Sequence, residues 1–221
     1  MQVSVHHTAV IWKMVTHLGS ASLMLPIFAI TAKGLWLNNQ RAASCKWAAA
    51  IIVAVVTTAA TKILFFGWGI GVVALDFTGI SGHTMLATSV LPVLFGWLFS
   101  QDSGRSIRTG AFLGILLGFA VGVSRVILVA HSMSEVIAGW AVGLIVSGIT
   151  LNAIKLPTRC PWFVRLSPLL LLLSYSTPAS NYLLTHQWEV RLALLLSGHD
   201  KPYTRHHLNS PMRPDGYTAR T

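Results

Sequence analysis

The chain has 221 residues, 53% of them hydrophobic and only 10% charged, against about 25% charged in soluble domains. A soluble chain of this length could not bury so much apolar surface in one core, whereas a bilayer accepts it. The net charge of +10 would suggest a nucleic-acid partner in a soluble protein, but here the Lys and Arg sit in short connections between apolar runs and in a C-terminal tail. Topology signals and lipid-headgroup contacts occupy such places, so nucleic acid is set aside.

In chain order, Val3–Thr16 mixes apolar residues with His and Lys and reads as interfacial; the apolar run after it begins too late for a signal peptide. Six runs then approach the roughly 20 residues a spanning helix needs: Leu18–Leu37, Trp47–Phe66, Thr78–Ser100, Gly110–Ala130, Ser134–Ala153 and Leu166–Leu184. The expected fold is all-α, a polytopic membrane protein with a six-helix bundle over residues 18–184, an interfacial segment over 1–17, and an interfacial helix and polar tail over 185–221. Within that last part Trp188–Leu196 is short and interrupted by Glu189 and Arg191, and the tail beyond Gly198 reads as partly disordered. Cys45 and Cys160 are too few for a disulfide scaffold and read as a reduced pair.

Charge sorts the connections. Asn38–Lys46 carries Arg41 and Lys46, Gln101–Arg108 carries Arg105 and Arg108, and Asn152–Arg165 carries Lys155, Arg159 and Arg165. These alternate connections share one side, which the positive-inside rule makes cytoplasmic; Gly67–Phe77, His131–Met133 and both termini then face outward. The basic tail (Lys201, Arg205, Arg213, Arg220) points the other way, but the bias is counted over short loops near helix ends. Gly110, Gly114, Gly118 and Gly122 form a small-residue ladder, as do Gly139, Gly143 and Ser147. The two are expected to bring the helices at 110–130 and 134–153 together and fix their outer ends.

The informative residues are polar groups near those outward ends. Arg125 interrupts an apolar helix, Lys62 lies near the end of another, and His83 follows Ser81-Gly82 at the start of a third. His131 and Glu135 stand at spacing i, i+4, one face of a helix. Each has a plain structural alternative: a snorkelling arginine, an interface lysine, a helix-end histidine, a hydrogen-bonded pair. Together they make a cationic, hydrogen-bonding pocket that opens toward lipid headgroups and suits a phosphate.

The motifs resemble the type 2 phosphatidic acid phosphatase superfamily, whose soluble relatives include vanadium haloperoxidases and acid phosphatases. The family pattern is Lys, six residues, Arg-Pro; then Pro-Ser-Gly-His; then Ser-Arg, five residues, His, three residues, Asp. Here the third motif reads Ser124-Arg125, five residues, His131, three residues, Glu135; the second reads Ile80-Ser81-Gly82-His83; the first keeps Lys62. The matched stretch runs from Lys62 to Glu135, about a third of the chain.

The resemblance implies that His131 attacks phosphorus, that Glu135 orients and stabilises its ring, and that His83 protonates the leaving oxygen and then activates water. Lys62, Arg125, Ser81, Gly82 and Ser124 would bind the phosphate, with no metal and no cofactor. The implied substrate is a membrane lipid phosphate: a polyprenyl diphosphate such as undecaprenyl diphosphate, or phosphatidic acid, phosphatidylglycerol phosphate or phosphorylated lipid A. The implied place is a bacterial inner membrane, with the site facing outward. A phosphotransferase using the same intermediate, a non-catalytic headgroup-binding protein, and a metal site built on His83, His131 and Glu135 are the competing readings.

Three positions depart from the family. The Arg-Pro of the first motif falls on Gly69-Ile70, the Pro before Ser81 is Ile80, and the closing Asp is Glu135. The missing arginine removes a phosphate clamp. Arg191, Arg205, Lys13 and His17 are candidates to replace it, and Gly67, Gly69 and Gly71 could supply a backbone nest instead.

Overall fold

The structure, a computed structural model, describes residues 2–100, 104–155, 160–169 and 181–206. Its helices are α1 (Gln2–His17), α2 (Ala21–Leu37), α3 (Arg41–Trp68), α4 (Gly82–Phe99), α5 (Gly104–Ile127), α6 (Met133–Ala153), the short α7 (Trp162–Arg165) and α8 (Asn181–Ser197). The described residues contain no strand, only one bridge between Val72 and Phe77 that closes the loop around a 3-10 turn at Val73–Leu75. This is an all-α polytopic membrane protein. Among the described residues, five helical lengths are long and apolar enough to span: Val10–Leu37, Arg41–Trp68, Gly82–Phe99, Ile107–Ile127 and Met133–Ala153.

The sixth expected span, Leu166–Leu184, lies for the most part outside the described residues, as do 101–103 and 156–159 of two basic connections and the tail with Arg213 and Arg220. The first span extends back to Val10 across a break at Leu18–Ser20, so α1 and α2 together reach further toward the N-terminus than the apolar run alone suggests.

The core lies around α4, buried along nearly its whole length from Thr84 to Trp97. The glycine ladders explain why, and correct the expected pairing. A Cβ on Gly114 would strike the backbone of Leu91 and Pro92, and one on Gly118 would strike Thr88. A Cβ on Gly139 would meet Ser81 and Thr84, and one on Gly143 would meet Met85 and Thr88. Both ladders therefore close chiefly on α4, from two sides; α5 and α6 meet each other where Gly122 lies under the Trp140 ring and Trp140 Nε1 donates to the Gly118 carbonyl at 3.2 Å. Close backbone approach at small residues gives the van der Waals contact that packs helices in lipid. α2 and α3 complete the shell: Gly34 admits the Trp97 ring, and Trp47 Nε1 donates to the Ser89 carbonyl at 3.3 Å.

α3 behaves differently. Its 28 residues make about 42 Å of helix, more than the ~30 Å hydrocarbon core. Ile52, Val53 and Val56 are exposed on its outer face, as suits contact with lipid chains.

Connections meet at two ends. Gln40 and Lys155 exchange hydrogen bonds of 2.9 and 3.0 Å between side-chain amide and backbone, which joins the α2–α3 and post-α6 connections at one end. The loops at 17–20, 69–81, 128–132 and 198–206 gather at the other. Residues 198–206 do not leave the bundle as a free tail: Tyr203 N–H donates to the Phe66 carbonyl at 2.9 Å and His199 Nδ1 to that of Gly67 at 2.7 Å.

Candidate active site

The start of α6 organises this end. Ser132 is its N-cap and Glu135 its third residue, and the two form a capping box: the Glu135 N–H donates to Ser132 Oγ, and the Ser132 N–H donates to Glu135 Oε2 at 3.2 Å. This fixes the glutamate backward over the helix start. His131 lies before the cap, outside α6, in the turn leaving α5. The i, i+4 relation seen in the sequence is thus realised through the cap and not along a helical face. His131 Nδ1 donates to Glu135 Oε2 at 2.6 Å.

That turn is bent back by its own backbone. The N–H groups of Ala130 and His131 both return to the Arg125 carbonyl, at 3.0 and 3.3 Å. Val129 takes a left-handed φ of 53° to allow it, at about 1–2 kcal/mol for a residue with a Cβ. The same backbone thus ties the arginine and the histidine of the third motif together.

Glu135 is fully buried and its other oxygen is equally engaged. Oε1 accepts from the Thr78 N–H at 2.8 Å, from the Thr78 hydroxyl, and from Arg205 Nη2 at 2.8 Å. Arg205 Nη1 in turn donates to Asp76 Oδ2. The Glu135 carbonyl accepts the Ser81 N–H at 3.1 Å, which ties the second motif to the third.

α4 begins at Gly82, so His83 sits in its first turn. The charged and titratable groups that face His83 are Arg125, Lys62, His131 and His17. Arg125 is buried at 3% exposure, and its Nη1 donates to Thr16 Oγ1 at 3.0 Å, so it faces protein and not lipid. Lys62 Nζ reaches Glu189 on α8, at 3.1 and 3.2 Å from the two carboxylate oxygens. Burial holds the His131 imidazole below its ordinary value; the Glu135 contact opposes this, and Arg125 and Lys62 add to it. The ring is neutral at neutral pH, with Nδ1 committed to Glu135 and Nε2 left as the basic nitrogen.

Lys62, His83, Arg125, His131 and Glu135 therefore occupy one end of the bundle. Ser81 and Ser124 are there too, but their hydroxyls are used elsewhere: Ser81 Oγ pairs with Thr84 Oγ1 at 2.9 Å, and Ser124 Oγ donates to the Val121 carbonyl. Gly82 contributes the helix start, where first-turn N–H groups have no acceptor within the helix. The glycine nest is not formed at Gly69, whose N–H donates to Phe65, while that of Ile70 donates to Leu64. Of the candidate replacement cations, Arg205 enters the site and His17 faces His83, whereas Arg191 lies over the Trp188 ring and Lys13 is exposed.

Sequence reasoning missed Thr16, Asp76, Thr78 and Glu189. A signal existed: the chain has only six acidic residues, and Asp76, Glu135 and Glu189 all lie here. Among the described residues no three His, Cys, Asp or Glu side chains are placed to hold a metal ion.

The PAP2 superfamily matches residues 68–159. A protein of Klebsiella pneumoniae, described as "Uncharacterized 22.5 kDa protein in cps region", is 32% identical over 210 residues, which cover 90% of this chain and 97% of that protein. No solved structure matches. The matched region contains His83, Arg125, His131 and Glu135; Lys62, Glu189 and Arg205 lie outside it.

Proposed function

The chain belongs to the PAP2 superfamily, whose members are generally phosphatases, and on that premise we propose that it removes a phosphate from a membrane lipid through a phosphohistidine on His131. The observation that carries this reading is the 2.6 Å bond from His131 Nδ1 to the buried Glu135 carboxylate, beside two cations and a second histidine. Headgroup binding would need the cations alone.

His131 Nε2 attacks phosphorus while the bond to the leaving lipid oxygen breaks, and His83 gives that oxygen its proton. Glu135 holds the ring in the reactive tautomer and stabilises the positive charge that grows on it. Arg125 and Lys62 meet the negative charge on the non-bridging oxygens. Water, deprotonated by His83, then breaks the N–P bond and releases inorganic phosphate. The substrate class is a lipid mono- or diphosphate, with polyprenyl diphosphate and phosphatidic acid as leading members. An outward-facing site in a bacterial inner membrane belongs to the same proposal; the basic connections, which the positive-inside rule assigns to the cytoplasmic side, support the orientation.

Purified protein in detergent is given a panel of lipid mono- and diphosphates, and phosphate release is measured. Turnover should survive EDTA and be blocked by vanadate, which mimics five-coordinate phosphorus. An active His131→Ala protein would refute the nucleophile.

A further inference from the structure

Burying an ionised carboxylate costs several kcal/mol unless a partner repays it. Glu135 is at 0% exposure. Its partners are Thr78, Ser132, His131 and Arg205, and of these only Arg205 carries a permanent charge. With the imidazole held neutral by burial, the countercharge comes from a residue 70 positions away, in the C-terminal arm.

The arm has a built seat. Gly69 caps α3 at a φ of 67°, and a Cβ there would lie 2.8 Å from the Tyr203 ring. With the Tyr203 and His199 hydrogen bonds to the end of α3, this contact fixes the chain just before Arg205. Asp76 then holds the guanidinium from the far side. The position where the first motif of the family places its arginine is thus a glycine that makes room for the arm bearing another.

We propose that Arg205 is a positioning residue, which pins Oε1 of Glu135 so that Oε2 is presented to His131 Nδ1. The role rests on the phosphatase reading, but it goes beyond it: Arg205 acts through the glutamate and not on the phosphate.

The test has kinetic and spectroscopic arms on the full-length protein. Arg205→Gln should lower kcat about 10- to 100-fold, as loss of an orienting partner does, with KM changed less than about twofold. In a Glu135→Gln background the same change should cost less than about threefold, because the two act as a unit. The groups facing His131 are Glu135, Arg125, Lys62 and His83. Removing the arginine strengthens the field of the carboxylate at the ring. In protein labelled with 15N-histidine, the His131 titration should therefore move to higher pH in Arg205→Gln and return toward the wild-type position in Arg205→Lys. A raised KM with kcat kept would make Arg205 a phosphate ligand and overturn the proposal, as would additive losses or an unmoved titration. If the wild-type protein releases no phosphate from any lipid, the phosphatase reading fails, while the titration still decides whether Arg205 acts on the Glu135–His131 pair.

Discussion

The two ends of the bundle are built from the same helices and differ in what they do with charge. At one end Lys155 meets Gln40 only through its backbone, while Arg41 lies over the Trp36 ring and Lys46 is exposed. At the other, among the described residues, three ion pairs join Lys62 to Glu189 and Arg205 to both Asp76 and Glu135, and the fully buried Glu135 also accepts a hydrogen bond from the neutral His131 ring. Charges of the first kind cost little and set orientation; charges of the second kind are expensive and need compensating partners. The contrast teaches that in an apolar chain position counts for more than number. On the proposed function, the cations at the first end serve the membrane and those at the second serve chemistry.

The sharpest way to break that contrast is at Glu135. Glu135→Gln should lower kcat by about 10²- to 10⁴-fold by losing the stabilisation of the imidazolium, while KM in a steady-state assay stays close to wild type. The pH profile comes next. Because burial lowers the His131 value, the nucleophile stays neutral into acid, so the acid limb of kcat/KM should fall below about pH 6.5. A limb above the ordinary imidazole value would deny that the ring is buried and neutral.

Lys62 offers a smaller effect. Its ammonium is bonded to Glu189, so on the proposed function phosphate competes with a carboxylate already in place. Both side chains are 20% exposed, and such a pair is worth at most ~1 kcal/mol. Glu189→Gln should then lower KM by about two- to fivefold, and an increase would make Glu189 a support for the lysine rather than its competitor. Smallest of all is the opposite end, where Gln40→Ala should shift thermal stability by no more than ~0.5 kcal/mol and leave kcat unchanged. A large loss of turnover there would erase the distinction between the ends.

What was legible in the sequence follows the same division. Arg125, His83, His131 and Glu135 stood out because a polar group in an apolar run is costly, so its presence asks for a reason. Their partners did not. Glu189 and Arg205 lie 127 and 70 residues from the groups they bond, and no local pattern encodes such a pairing. The central position of α4 was equally hidden, since lipid tails and protein interior are both apolar and hydropathy does not separate them. The glycine ladders were visible as close-packing surfaces, but spacing alone did not say which helix they close upon. The His131–Glu135 spacing matches a helical face, but Ser132 caps α6 between them, and the capping box produces the same contact by a different route.

The central claim is that phosphate passes through His131. Protein mixed with a lipid phosphate labelled with 32P, quenched in base within one turnover and digested, should carry acid-labile label on the peptide containing His131, and none in His131→Ala. Lipid phosphate hydrolysed with no label on that histidine, or at an unchanged rate without it, would contradict the account.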